Sequence, residues 1–233
     1  MSRRTSRTRR GIGTLSSILI LAGALLFLDA GVTLVWQEPL SALYGKVNQD
    51  RLDGRLDRLE REPAPLAQLR ALAGLQSSQQ RVAFLARALR RRVRPGDPIG
   101  RIGIARIGLS TVVVEGTNPD DLREGPGHYD ETPLPGLRGT VAIAGHRTTY
   151  LAPFRQLDRL RARDKIVVEM PYGRFTYEVE RTRIVSPTAF YVIRRASYDR
   201  LVLTACHPLY SAAQRIVVFA RLVATEPRGQ ALR

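Results

Sequence analysis

The hydrophobic pattern changes twice along the 233-residue chain and divides it into three parts. The first part contains an uncharged stretch from Gly11 to Leu28, and its apolar character continues to Trp36. As a helix rising about 1.5 Å per residue, residues 11–36 would be roughly 39 Å long, more than the ~30 Å hydrocarbon core of a bilayer. The pattern therefore predicts a transmembrane helix at 11–36.

Arginines dominate residues 1–10, just before this stretch. Positively charged flanks of a transmembrane helix stay on the cytoplasmic side, which makes residues 1–10 a predicted cytoplasmic tail and places the rest of the chain outside. A cleaved signal peptide is the alternative, but its apolar region is normally about 7–15 residues long, with small residues at the cut. The small triplet Ala22-Gly23-Ala24 lies in mid-stretch, so we expect a retained signal anchor and a single-pass protein of the cell membrane.

Residues 37–95 show helical spacing with interleaved charges. Leu52, Leu56 and Leu59 recur at helical intervals among acidic and basic residues, a pattern typical of a solvated helix. Pro63 must interrupt that helix, and a second helical pattern follows it. We expect a helical stalk that separates the membrane from the next domain.

Alternation with a period of two replaces helical spacing in residues 96–224. Seven segments fit strands between turns rich in Gly, Pro and Asp, namely 100–109, 111–115, 140–144, 165–170, 174–181, 200–205 and 215–222. Only 154–160 fits a short helix. Short strands at this spacing predict an all-β domain with a closed or nearly closed barrel. Residues 225–233 are expected to be a flexible tail.

Charge and composition narrow the function. The chain has 37 basic and 21 acidic side chains, but only Lys46 and Lys165 are lysines and the other basic residues are arginines. A biased composition explains this arginine excess at least as well as nucleic-acid binding does. We therefore expect no nucleic-acid partner. One cysteine excludes an internal disulfide and sites built from several thiolates. The acidic residues Glu124, Asp130 and Glu131 lack metal-ligand spacing, so neither a metal nor a cofactor is predicted.

Three chemically distinct side chains fall at the ends of predicted strands. Cys206 follows the strand 200–205, His146 follows 140–144, and Arg215 opens the last strand. If the last two strands pair antiparallel, Arg215 returns beside Cys206. A thiolate is a nucleophile, an imidazole moves protons and a fixed cation stabilises an oxyanion. Because a free thiol outside the cell is a liability, the pattern favours a thiol enzyme over a buried spectator cysteine. His207 is next to Cys206 in the sequence, but alternation along the strand places it on the opposite face.

A family resemblance rests on these residues. The segment GPGHYDETPLPGLRGTVAIAGHRTTYLAPFRQLDRL at 125–160, with LVLTACHP at 201–208 and Arg215, resembles the sortases, most of all the class E sortases of high-GC Gram-positive bacteria. The resemblance covers roughly residues 96–222. It implies a sortase-like closed barrel of about eight strands with short helices. It also implies a transpeptidase that cleaves a C-terminal sorting signal, of the Leu-Ala-x-Thr-Gly or Leu-Pro-x-Thr-Gly type, between Thr and Gly.

The resemblance also implies the roles of individual residues. Cys206 would form a thioester with the surface protein, which an amine of the peptidoglycan precursor resolves; His146 would be the general acid and base, and Arg215 the substrate and oxyanion clamp. The expected substrate-binding residues are His128, Tyr129, Tyr150 and Ala205. The family pattern before the nucleophile is Thr-Leu-x-Thr-Cys, and here Val202 and Ala205 replace both threonines.

Two alternatives stay open. An L,D-transpeptidase is also a thiol enzyme, but it places its cysteine in a Ser-His-Gly-Cys context. A sortase-like module that binds surface-protein tails without turnover is favoured by the loss of the two threonines.

Overall fold

The alternating pattern correctly predicts a closed β-barrel. The structure is a computed structural model, and it describes residues 4–35, 39–63 and 65–232; the positions 1–3 and 36–38 of the predicted tail, anchor and stalk lie outside them. The eight strands are β1 (Pro98–Ile104), β2 (Leu109–Glu115), β3 (Gly127–His128), β4 (Thr140–Ala144), β5 (Lys165–Met170), β6 (Gly173–Val185), β7 (Arg200–His207) and β8 (Gln214–Pro227). They close in the order β1-β2-β3-β4-β7-β8-β6-β5. The pairs β2–β3 and β4–β7 are parallel and the others antiparallel.

The strand pattern misses some local detail. The predicted strand 100–109 ends at Ile104, because a 3₁₀ turn at Ala105–Ile107 follows and ends at Gly108 with φ of 63°, in the left-handed region that glycine favours; Leu109 already belongs to β2. The predicted loop 116–139 contains β3 and the short helix α5 (Pro119–Glu124). Asn118 caps α5 through a capping box with Asp121, a start signal that the sequence does contain. The predicted helix 154–160 is reduced to a 3₁₀ turn at Leu157–Arg159.

Four further helices precede the barrel: α1 (Arg4–Val35), α2 (Pro39–Arg61), α3 (Leu66–Ala73) and α4 (Ser78–Arg92). The chain forms two compact units, one ending at Leu40 and the other beginning at Ser41. In the part of the chain that the structure describes, no helix combines the length and the apolar character needed to span a membrane, so the predicted transmembrane helix is not supported.

Helix α2 packs against the barrel, unlike the solvated spacer that the sequence predicts. Leu52 and Leu56 are fully buried against Val112 and Val114 of β2. Arg101 of β1 forms ion pairs with three carboxylates of α2, those of Asp53, Asp57 and Glu60. The leucines that looked like one stripe of a solvated helix are therefore a packing face, and the charges beside them hold the helix to β1.

Helix α4 and the C-terminal residues also belong to the packed unit. Val82, Leu85 and Leu89 of α4 lie in the main core with the inward side chains of the barrel. Ala231 is fully buried, and its carbonyl accepts a hydrogen bond from Nε of Arg81 at 3.1 Å. Residues 225–227 belong to β8 and this contact holds the turn at Gly229–Leu232 on α4, so the described part of the predicted flexible tail is packed.

A second, smaller apolar cluster covers the outer face of β4, β7 and β8. Alternate residues of these strands form it, including Ala142, Val202, Val217 and Phe219. Val192, from a 3₁₀ turn in the β6–β7 connection, packs on the same cluster. The strands that carry the candidate residues are thus buried on both faces, which fixes where each strand ends.

Candidate active site

The three candidate chemical residues lie at the same ends of three neighbouring strands. In the parallel β4–β7 pair Ala144 is opposite Thr204, and the amide of Gly145 continues the pairing with a hydrogen bond to the Thr204 carbonyl at 3.0 Å. In the antiparallel β7–β8 pair Cys206 is directly opposite Arg215. The strand carrying Cys206 therefore lies between the strands that lead to His146 and Arg215.

Strand alternation assigns Cys206 and Arg215 to one face. Leu203 and Ala205 belong to the main core, whereas Val202 belongs to the outer cluster, so Cys206 follows the outer positions of β7. By the same count Arg215 shares its face with Val217. The thiol is half-buried and free.

His146 reaches the outer face because the residue before it points inward. A Cβ at Gly145 would lie 2.6 Å from a ring carbon of Phe154, which is fully buried in the main core. Only glycine fits there, so the chain passes close over the Phe154 ring before His146. The amide of Phe154 also donates to the His146 carbonyl at 3.0 Å, which closes the loop on itself.

The His146 ring is largely shielded. Burial, and to a smaller extent the charge of Arg123, lower the pKa of His146, so the neutral imidazole is favoured. Its Nε2 is buried and has no hydrogen-bond partner among the described residues. The Tyr150 ring lies 5.3 Å from the imidazole, centroid to centroid, at 42°. A buried ring nitrogen without a partner is suited to exchange a proton with a bound substrate.

The loop after His146 is conformationally strained and touches α2. Three consecutive residues, Tyr150, Leu151 and Ala152, have φ of 49°, 63° and 42°, which is uncommon for residues other than glycine. The Tyr44 ring of α2 packs edge-on against Tyr150 at 6.0 Å, and Gly45 lies against the Leu151 side chain. Packing by α2 therefore supports the loop that carries the tyrosine beside His146.

Arg147 is a buried residue of the site that the sequence reasoning missed. It is 3% exposed, and its guanidinium spans two segments. Nη1 donates to the Cys206 carbonyl at 3.4 Å and to Nδ1 of His207 at 3.2 Å. Nη2 donates to the Arg155 carbonyl at 3.0 Å and to Asp158 at 2.8 Å. Composition gives no signal for it, because arginine is so frequent in this chain.

Arg215 makes its described hydrogen bonds within its own loop. Its Nη1 donates to the carbonyls of Ala212 and Gln214, both at 3.0 Å. The backbone pairing places Arg215 beside Cys206, as the sequence predicts. Its role as a clamp stays a prediction.

The structure corrects two of the predicted substrate-binding residues. His128 is 1% exposed, with Nδ1 at 2.9 Å from a carboxylate oxygen of Glu115 and Nε2 at 3.1 Å from Thr132 Oγ1, so it belongs to a buried polar network and cannot line a groove. Ala205 is 4% exposed and faces the main core. The strand period decides this, because Ala205 has the opposite orientation to Cys206.

The other two predicted substrate-binding residues lie close to the three strand ends. The hydroxyl of Tyr129 is 3.0 Å from Thr204 Oγ1, and its ring packs on the outer cluster. Thr204 precedes Cys206 by two residues and so supplies a hydroxyl on the face of the thiol. Tyr150 contacts His146 as described. Substrate binding by Tyr129 and Tyr150 stays a prediction.

Known proteins resemble this chain in sequence and in fold. A family model described as the sortase domain matches residues 102–223. Sortase D of Bacillus subtilis is 33% identical over 132 residues, which cover 55% of this chain and 65% of that protein. Sortase SrtE1 of Streptomyces coelicolor is 27% identical over 152 residues, 58% of this chain and 43% of that protein. The match thus spans less than two thirds of each curated relative.

Solved structures of the same kind superpose on the barrel. The SrtF sortase from Corynebacterium diphtheriae aligns with a TM-score of 0.56 at 28% identity, covering 58% of this chain and 89% of that chain. Sortase E from Streptomyces avermitilis aligns with a TM-score of 0.53 at 32% identity, covering 60% of this chain and 99% of that chain.

Proposed function

The chain belongs to the sortase family, and on that premise we propose that it is a cysteine transpeptidase with Cys206 as its nucleophile. The observation that carries the proposal is the meeting of β4, β7 and β8 at one end, with Cys206 opposite Arg215 and one strand away from the segment of His146. The substrate we propose is a surface protein with a C-terminal sorting signal of the Leu-Ala-x-Thr-Gly or Leu-Pro-x-Thr-Gly type.

The first half of the reaction uses the neutral imidazole that burial favours. The Cys206 thiol attacks the carbonyl carbon of the signal threonine while His146 takes up the thiol proton. A positive guanidinium at Arg215 stabilises the oxyanion of the tetrahedral intermediate. The bond to glycine then breaks, His146 gives its proton to the leaving amine, and a thioester remains on Cys206.

The second half runs the same steps with a new amine. We propose the amine of a peptidoglycan precursor as the acceptor. Its nitrogen attacks the thioester carbonyl, His146 takes up the amine proton, and the C–S bond breaks. The proton then returns to the sulfur, so the enzyme is regenerated and the surface protein carries a new amide bond.

The test is thioester formation in a single turnover. Purified protein is mixed with a panel of pentapeptide signals that differ at the second residue, and intact-protein mass spectrometry follows the acyl adduct. We expect an adduct on the native protein with at least one peptide, none on Cys206→Ala, and release of the adduct by an added amine. Peptide binding by the native protein with no adduct would favour the non-catalytic module instead.

We also propose that the barrel works outside the cell membrane, with the N-terminus in the cytoplasm. Support comes from the sequence: the arginines of residues 1–10 precede the uncharged stretch 11–28. A membrane-impermeant maleimide applied to intact cells without their wall should label Cys206. Labelling that needs permeabilised cells would overturn this placement.

A further inference from the structure

Arg147 is a buried cation that the reaction steps above do not use. Its side chain is 2% exposed, and burying a guanidinium away from water is costly unless hydrogen bonds satisfy it. All three of its nitrogens donate: Nε to the Arg155 carbonyl at 3.3 Å, and Nη1 and Nη2 to the four acceptors described above. Among the residues that the structure describes, its one charged partner is Asp158, whose side chain is half exposed, so most of the described contacts are to neutral acceptors.

The described partners of Arg147 fall into two groups. Arg155 and Asp158 belong to the loop that His146 begins, and Arg147 itself follows His146 directly. Cys206 and His207 belong to the end of β7. The guanidinium therefore joins the imidazole segment to the thiol segment at the point where the backbone pairing of β4 and β7 has already ended.

The contact with His207 also selects one tautomer of the ring. A guanidinium nitrogen can only donate, so Nδ1 of His207 must accept and carries no hydrogen. The neutral His207 ring consequently has its hydrogen on Nε2. The imidazole next to the nucleophile is held in one tautomer and one orientation.

We propose that Arg147 is a positioning residue for the thiol reaction, holding the Cys206 backbone and the His207 ring in register with His146. This inference rests on the proposed transpeptidase function. Arg147 does not touch the substrate; it acts by fixing the distance between the nucleophile and the group that moves its proton. Misplacement of reacting groups by about 1 Å can cost about 100-fold in rate, which is the scale expected when the guanidinium is lost.

The matched variants are Arg147→Gln, Arg147→Lys and, as a control, Arg159→Gln. Arg159 is an exposed arginine of the same loop whose described hydrogen bond goes to Gln156. In a peptide-plus-amine assay we expect Arg147→Gln to lower kcat about 10- to 100-fold with KM changed less than about twofold. Arg147→Lys should recover part of the loss because it keeps a buried donor, and Arg159→Gln should behave as the native protein.

A second measurement does not depend on any variant. The ¹⁵N chemical shifts of His207 in the native protein should report hydrogen on Nε2 and none on Nδ1 at neutral pH. Hydrogen on Nδ1, or a kcat of Arg147→Gln equal to that of Arg159→Gln, would overturn the proposal. If Arg147→Gln does not fold, the His207 spectrum of the native protein decides, and hydrogen on Nδ1 overturns the proposal.

The two proposals fail in different ways. If native protein and Arg159→Gln form no thioester with any peptide, the transpeptidase function fails. If both form it and Arg147→Gln forms it equally fast, only the role of Arg147 fails.

Discussion

Replacing Gly145 by alanine tests the packing that delivers His146 to the outer face. The added Cβ would lie 2.6, 2.9 and 2.9 Å from three carbons of the Phe154 ring, well inside ordinary van der Waals contact. Phe154 is fully buried in the main core, so the ring has no free space to move into. Either the ring or the backbone before His146 must shift.

The expected cost follows from two opposing terms. Overpacking a core typically costs about 1–3 kcal/mol of unfolding free energy. Removing a glycine restricts the unfolded chain and returns about 0.4–1 kcal/mol. Taking the middle of each range, we expect Gly145→Ala to lower the free energy of unfolding by about 1.3 kcal/mol. Because the backbone shift would reach His146, the rate of thioester formation should fall as well.

The assay is urea unfolding of Gly145→Ala beside a matched glycine variant. A Cβ at Gly54, which is exposed on α2, would meet no atom within 4 Å. Gly54→Ala should therefore stabilise the protein by about 0.5–1 kcal/mol, as alanine does within helices. The change Phe154→Leu should offset part of the Gly145→Ala loss when the two are combined. Equal stability of Gly145→Ala and the native protein would refute the steric reasoning.

Three further outcomes are expected. Leu56→Ala should lower the free energy of unfolding by about 2–5 kcal/mol because the side chain is fully buried, whereas Leu43→Ala, at an exposed position of the same helix, should change it little. Equal effects of the two variants would mean that α2 does not pack on the barrel. Tyr150→Ala should slow thioester formation by about 2- to 10-fold, because the ring contact with His146 is worth about 0.5–1.5 kcal/mol. An unchanged rate would show that this contact does not contribute to the reaction. Burial lowers the pKa of His146, so the unfolded imidazole binds a proton more readily than the folded one; native stability should fall as the pH drops through the ordinary histidine pKa of about 6.5, and His146→Gln should lose less in the same urea series.

The barrel could be predicted from the sequence because its signals are local and repeated. Alternation with a period of two predicted the strands, and Cys206 and Arg215 stood out because they lie at predicted strand ends. Antiparallel pairing of the last two strands was then enough to place these two residues opposite each other. The parallel pairing that puts β4 beside β7 is not visible locally, since Ala144 and Thr204 are 60 residues apart. The end of the predicted strand 140–144 singled out His146, and the family resemblance then implied its role beside Cys206.

The contacts of single side chains were beyond reach of the sequence. Arg147 looks like any other arginine until the fold brings Cys206 and His207 to it. His128 looks like a groove residue until the parallel pairing of β2 with β3 puts Glu115 opposite it. The leucines of α2 have the same spacing whether they face water or β2, so helical periodicity alone could not separate a stalk from a packed helix.

The late position of β8 among the described strands has a consequence for synthesis of the barrel. Cys206 acquires its neighbour Arg215 only from the final strand, and the same strand supplies the long ladder with β6 that seals the barrel. A nascent polypeptide that ends before Gln214 has the thiol but lacks the strand that pairs with both β6 and β7. The proposed pairing of Cys206 with Arg215 can therefore form only after β8 has been synthesised.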